Sequence, residues 1–161
     1  MREGRSGGRV AIGGGLEVSR EYGHIFIAPE TRVPTAGAIH VRAPSGEGRL
    51  ELPGRRVCVR WRSTKEAPGP DGRIAVAVGS GHYPLTFRGW RPGDRIRLAG
   101  GTRKLKKLFA DRRVPVSDRN RLPVLADGDG NVLWIDGLAV AETQREARSR
   151  PSYLEFELTD E

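Results

Sequence analysis

Short alternating runs, each cut off by glycine or proline at intervals of roughly ten residues, direct this chain toward antiparallel β structure. Its 22 glycines and 11 prolines leave little room for helical periodicity. Strands are predicted at Leu16–Ser19, His24–Ala28, Ala38–Arg42, Arg49–Leu52 and Arg56–Arg62. Further strands are predicted at Ile74–Val78, Leu85–Trp90, Arg95–Leu98, Leu122–Ala126 and Val132–Ile135, and Tyr153–Leu158 is suited to close a sheet edge. Arg91-Pro92-Gly93-Asp94 supplies turn chemistry, and Asp127-Gly128-Asp129-Gly130-Asn131 marks a hairpin.

One helix is predicted, Thr102–Asp111. Leu105, Leu108 and Phe109 fall at i, i+3 and i+4 and form its core face, while Arg103, Lys104, Lys106 and Lys107 take the other sides. Thr102 reads as the N-cap, and the first-turn N–H groups, reached past Gly100-Gly101, read as an anion site. Arg103 and Lys104 then oppose the helix macrodipole, at a cost of a few tenths of a kcal/mol each. Local stability given up for positive charge points to function. Trp61, Trp90 and Trp134 lie in strand patterns and read as core or core-edge residues.

The expected fold class is α+β: a small, mainly antiparallel β-sandwich or barrel-like unit with one basic amphipathic helix, preceded by a β-rich segment. Residues 1–15 are expected to be a flexible tail, 16–62 the β-rich segment, 63–73 a loop between two β units, and 74–161 the main domain.

Charge narrows the function. Residues 88–121 hold twelve basic and three acidic side chains, a net +9, whereas the rest of the 161-residue chain holds 16 basic and 17 acidic. The whole positive excess of +8 therefore lies in one segment. Such a block is the electrostatic footprint of a polyphosphate partner.

Other functions find less support. No apolar run approaches the roughly 18 residues of a membrane helix, and the N-terminus lacks the apolar stretch of a signal peptide. Cys58, His24, His40 and His82 have no metal-ligand spacing, and a single cysteine fits a reducing cytoplasm. Asp71, Asp127 and Asp129 sit in turns, and Glu51, Glu155 and Glu157 on strand faces, where solvated carboxylates are the ordinary case. Gly79-Ser80-Gly81-His82 lacks a nucleophile elbow. Ser6-Gly7-Gly8 begins like a phosphate loop, but the acidic residue and serine that such a loop requires do not follow.

From Leu85 to Leu138 the sequence carries an ordered set of motifs. These are Leu-Thr-Phe-Arg, Arg-Pro-Gly-Asp-Arg, Lys-Leu-Lys-Lys-Leu-Phe, a Val-Pro step, Arg-Asn-Arg-Leu-Pro-Val-Leu and Asn-Val-Leu-Trp-Ile-Asp-Gly. The set resembles the C-terminal domain of bacterial tRNA(Ile)-lysidine synthetase, and Gly15–Gly23 is more weakly similar to the β segment preceding that domain. The resemblance implies an α+β unit that contacts the tRNA acceptor stem. It also implies a family enzyme that uses ATP to ligate lysine to the wobble cytidine, with a Ser-Gly-Gly-x-Asp-Ser loop in its catalytic domain. That loop does not occur in this sequence, so no cofactor is expected here and ATP belongs to the full-length family enzyme.

Carried over, the resemblance turns Arg103, Lys104, Lys106, Lys107, Arg119 and Arg121 toward RNA. Arg112 and Arg113, from the same basic block, complete the expected tRNA-binding set. Ala139 stands where the resemblance leads one to expect a basic residue, so the last hairpin is assigned no contact. The implied partners are tRNA, a catalytic phosphate-loop domain acting in trans, and a second copy of the chain. A protein-interaction module that docks to a catalytic ligase is the alternative reading.

Overall fold

The computed structural model describes residues 9–13, 16–21, 24–29, 37–70, 73–142 and 152–161. Strands β1 (Arg9–Gly13), β2 (Leu16–Glu21) and β3 (His24–Pro29) form a three-stranded antiparallel sheet. The expectation of a tail through residue 15 is corrected at β1, whose Val10 pairs with Val18. The signal was present: Val10 and Ile12 alternate with Arg9 and Ala11.

Next come β4 (Ala38–Val41), β5 (Ser45–Leu52), β6 (Arg55–Thr64) and β7 (Ile74–Val78), then a 3-10 turn at Ser80–His82. The hairpin-rich second half comprises β8 (Leu85–Gly89), β9 (Arg95–Leu98) and β10 (Gly101–Lys104), followed by helices α1 (Leu105–Asp111) and α2 (Val116–Arg119). β11 (Pro123–Ala126), β12 (Val132–Ile135), β13 (Ala139–Val140) and β14 (Ser152–Asp160) complete it.

Two sheets build the body. One has the order β5-β6-β14-β7, and the other β10-β9-β12-β11-β8-β4, with β13 added beside β12. All pairings within them are antiparallel except β12 with β9, a parallel bridge at Val132 and Ile96. The sheets bury a shared core of Leu50, Val57, Val59, Val76, Leu154 and Phe156 from the first against Leu85, Phe87, Leu125 and Trp134 from the second. Phe156 sits edge-on to both Phe87 and Trp134, with ring centroids 5.0 and 4.9 Å apart. Trp61 and Trp134 are buried in this core and Trp90 is half-buried, as their strand positions predict.

The other face of the second sheet carries a separate core. Ile96, Val124, Val132 and Ile135 pack there against Leu105, Leu108 and Phe109 of α1. A sheet covered on both sides explains why every residue of β11 and β12 is buried. The three α1 side chains are the predicted core face, and each contributes roughly 1.5–3 kcal/mol by leaving water.

Two expectations about organisation are corrected. Residues 63–73 do not divide two β units, because β6 and β7 both pair with β14, and β4 pairs with β8. Pairing across the loop makes it a connection within one sheet. For the same reason β14 is an interior strand rather than an edge, and it runs three residues longer than its alternating pattern suggests. Within the hairpin of β11 and β12, Asp127 Oδ1 accepts from the backbone N–H groups of Asp129 and Asn131 at 3.0 and 2.8 Å, as its turn sequence predicts.

Among the described residues no helix is long and apolar enough to cross a membrane, and no group of His, Cys, Asp and Glu is placed to hold a metal.

Candidate nucleic-acid interface

The basic segment folds as a hairpin that runs straight into a helix. β9 and β10 pair with Leu98 opposite Gly101 and Arg95 opposite Lys104, leaving Ala99-Gly100 as a two-residue turn. Gly101 has φ +112°, a conformation that a side chain would strain. This corrects the predicted helix start. Thr102 and Arg103 are strand residues, Lys104 is the N-cap without a side-chain capping bond, and the helix begins at Leu105. The paired glycines serve the turn and not an anion site. The strand wins because Arg95-Ile96-Arg97-Leu98 alternates ahead of a Gly-Gly turn, whereas the apolar 3–4 spacing begins only at Leu105.

The base of the hairpin is pinned by a buried ion pair. Arg88 donates from Nη1 and Nη2 to the two carboxylate oxygens of Asp94 at 2.8 and 2.9 Å. Asp94 also accepts from the Arg91 backbone N–H at 2.7 Å, and its carbonyl accepts from the first helical N–H, Leu105, at 2.9 Å. One acidic residue thus closes the Arg-Pro-Gly-Asp turn and caps the start of α1.

Helix α1 ends in a Schellman arrangement. The Val114 N–H donates to Phe109 O at 2.9 Å and the Arg113 N–H to Ala110 O at 3.0 Å, with Arg113 at φ +54° where glycine is the usual occupant. Arg112 and Arg113 have a structural reason to be there, since cations suit a helix C-terminus. Arg113 nevertheless strains the backbone. Arg113→Gly is expected to raise stability by about 0.5–1 kcal/mol, read from a shift in the urea midpoint. A loss of stability would mean that the charge outweighs the strain.

The expected tRNA-binding residues separate into two groups. Lys104, Lys106, Lys107, Arg112 and Arg113 are exposed along the hairpin end and α1, and none of them meets a carboxylate among the described residues. Arg103 is exposed but lies 3.6 Å from Asp111. Arg121 is exposed elsewhere, beside the corner where Arg55 donates to Asp160, Asp136 and the Arg121 carbonyl. The Arg55 guanidinium, with help from Arg121, holds the Asp160 carboxyl below the usual carboxylate range.

Arg119 departs from its expected place. It is buried, its Nε donates to Val114 O at 2.9 Å, and its guanidinium lies 5.6 Å from the centre of the Phe109 ring. Arg88 is likewise a core residue, so two of the twelve cations in the basic segment serve the fold.

Reasoning from sequence alone left out Arg95 and Arg97, both exposed on β9 on either side of the buried Ile96. Strand alternation was the signal for them. Of the acids read as solvated, Glu155 is buried, paired with Arg62 at 2.7 Å and with Arg73 at 3.8 Å. It ties neighbouring strands together.

The described elements from β4 onward define a two-sheet α+β domain in which a basic hairpin at one sheet edge runs into a basic helix packed on that sheet. Residues 85–156 match the family described as the TilS substrate C-terminal domain. Among its relatives, tRNA(Ile)-lysidine synthase of Oceanobacillus iheyensis is 30% identical over 129 residues, covering 78% of this chain and 28% of that protein. The enzyme of the same name from Bacillus licheniformis is 32% identical over 137 residues, covering 81% of this chain and 28% of that protein. A crystal structure of a TilS C-terminal domain superposes with a TM-score of 0.56 at 28% identity, covering 76% of this chain and 96% of the other. The chain therefore spans little more than a quarter of the length of these relatives, and its fold is that of their C-terminal domain.

Proposed function

We propose that this chain binds tRNA in the service of tRNA(Ile)-lysidine synthesis. It grips the phosphates of the acceptor stem and orients the molecule, while a catalytic phosphate-loop domain performs the ATP-dependent ligation of lysine. The setting is the cytoplasm, where tRNA is modified. The observation that carries this reading is the set of five exposed cations, Lys104, Lys106, Lys107, Arg112 and Arg113, none of which forms an ion pair among the described residues. Cations left unneutralised on a rigid scaffold are matched to an anionic partner. The family match and the names of the relatives agree with tRNA as that partner.

Competition binding tests it. A folded tRNA should displace labelled tRNA from the purified chain far better than a single strand of equal length, because an A-form duplex is recognised by shape and backbone. Equal displacement would contradict the acceptor-stem reading.

A second reading, docking to a protein partner, is favoured by one observation. Leu16, Ile25 and Ile27 are 39%, 70% and 66% exposed, and the register of β2 with β3 sets them on one sheet face with Val18. Co-purification with a phosphate-loop ligase, without affinity for RNA, would favour it.

A further inference from the structure

The helix is the obvious phosphate-binding element, but the hairpin beside it is the better-built one. Arg95 and Arg97 lie two residues apart on β9, with Ile96 between them buried in the helix-side core. Arg95 faces Lys104 directly across the ladder, and Arg97 faces Thr102. Residues opposite one another, or two apart on one strand, share a face of the sheet, so Arg95, Arg97, Thr102 and Lys104 make a single outer surface. All four are exposed. No carboxylate pairs with Arg95, Arg97 or Lys104 among the described residues, whereas Arg103, on the opposite face, has Asp111.

Placing Arg95 directly opposite Lys104 costs stability, since like charges across a ladder repel. The surface is also fixed in place. Its inner side is held by Ile96 and by the parallel bridge to Val132, its base by Leu105 N–H to Asp94 O, and its far end by Glu142 N–H to Arg97 O at 2.8 Å. Arg95 and Arg97 stand about 6.6–6.8 Å apart along the strand, close to the step between successive phosphates of one nucleic-acid strand.

We infer that the outer face of the β9–β10 hairpin is a phosphate-backbone clamp, in which Arg95 and Arg97 engage neighbouring phosphates of one RNA strand and Lys104 adds a third contact. Thr102, a hydroxyl between cations, is placed to donate to the same backbone. The inference rests on the tRNA-binding reading and sharpens it. The clamp, rather than Lys106 and Lys107, supplies the larger share of the salt-sensitive contacts, because three cations and a hydroxyl share one face of a backbone held by its ladder and its bridge to β12.

The test compares salt dependence of tRNA binding by four forms of the full chain. These are the native chain, R95Q/R97Q/K104Q, the charge-preserving R95K/R97K, and K106Q/K107Q on the helix. Each lost phosphate contact reduces the slope of log K against log salt by about 0.7–0.9. The hairpin triple variant should therefore lose about 2 to 3 units of slope with its thermal melting unchanged or raised, and R95K/R97K should keep the native slope. K106Q/K107Q should lose less than the triple variant. If the native chain binds tRNA and the triple variant keeps its slope, the clamp is wrong and the tRNA reading survives. If the native chain itself shows no salt-dependent binding, both fall.

Discussion

Asp94→Ala is expected to destabilise the domain by about 3–5 kcal/mol, because it strands a buried guanidinium. Arg88 and Asp94 are both nearly inaccessible, and the Asp94 carboxylate supplies both partners of the bidentate pair as well as the acceptor for the Arg91 N–H. Without it, Arg88 keeps only the Gly89 carbonyl, 2.9 Å from Nη1. The pair itself contributes less than this figure, since bringing two charges out of water offsets most of their attraction. Asp94→Ala combined with Arg88→Met should therefore be milder than Asp94→Ala alone. Urea unfolding with an unchanged m value checks both variants. A loss under about 1 kcal/mol for Asp94→Ala would mean that water reaches Arg88 and the pair is not closed.

Phe109→Ala is expected to cost a similar amount, about 3–5 kcal/mol, by a different route. The Phe109 ring is fully buried, stands edge-on to Trp90 at 5.2 Å, and carries the Arg119 guanidinium over its face. Removing it leaves a cavity and takes away the platform of a buried cation, so the two losses are coupled. A double-mutant cycle with Arg119→Met should return an interaction energy of about 0.5–2 kcal/mol. A cost for Phe109→Ala below about 1.5 kcal/mol would show that the helix-side core collapses without strain.

These sites also show what the sequence discloses and what it conceals. The α1 core face at Leu105, Leu108 and Phe109, the strands other than β1, β10 and β13, and the Asp127 turn follow from local periodicity and turn chemistry, and they form as those rules predict. Sheet membership does not follow. That β14 lies between β6 and β7 is a fact of long-range pairing, invisible to any window of a few residues, and the polar loop before β7 resembles a boundary for that reason. Charge was legible as a block but not as a surface. A run of cations carries no mark of which one closes a turn, as Arg88 does through Asp94, or lies over a ring, as Arg119 does on Phe109. The exposure of Arg95 and Arg97 follows from strand alternation once Ala99-Gly100 is taken as a hairpin turn.

If the exposed cations of this domain hold tRNA through its phosphates, salt must weaken the binding steeply. The direct measurement is the affinity of the purified chain for tRNA across a series of salt concentrations. With about five to seven phosphate contacts, log K should fall against log salt with a slope of roughly −3.5 to −6. A slope near zero, or no binding at low salt, would contradict it.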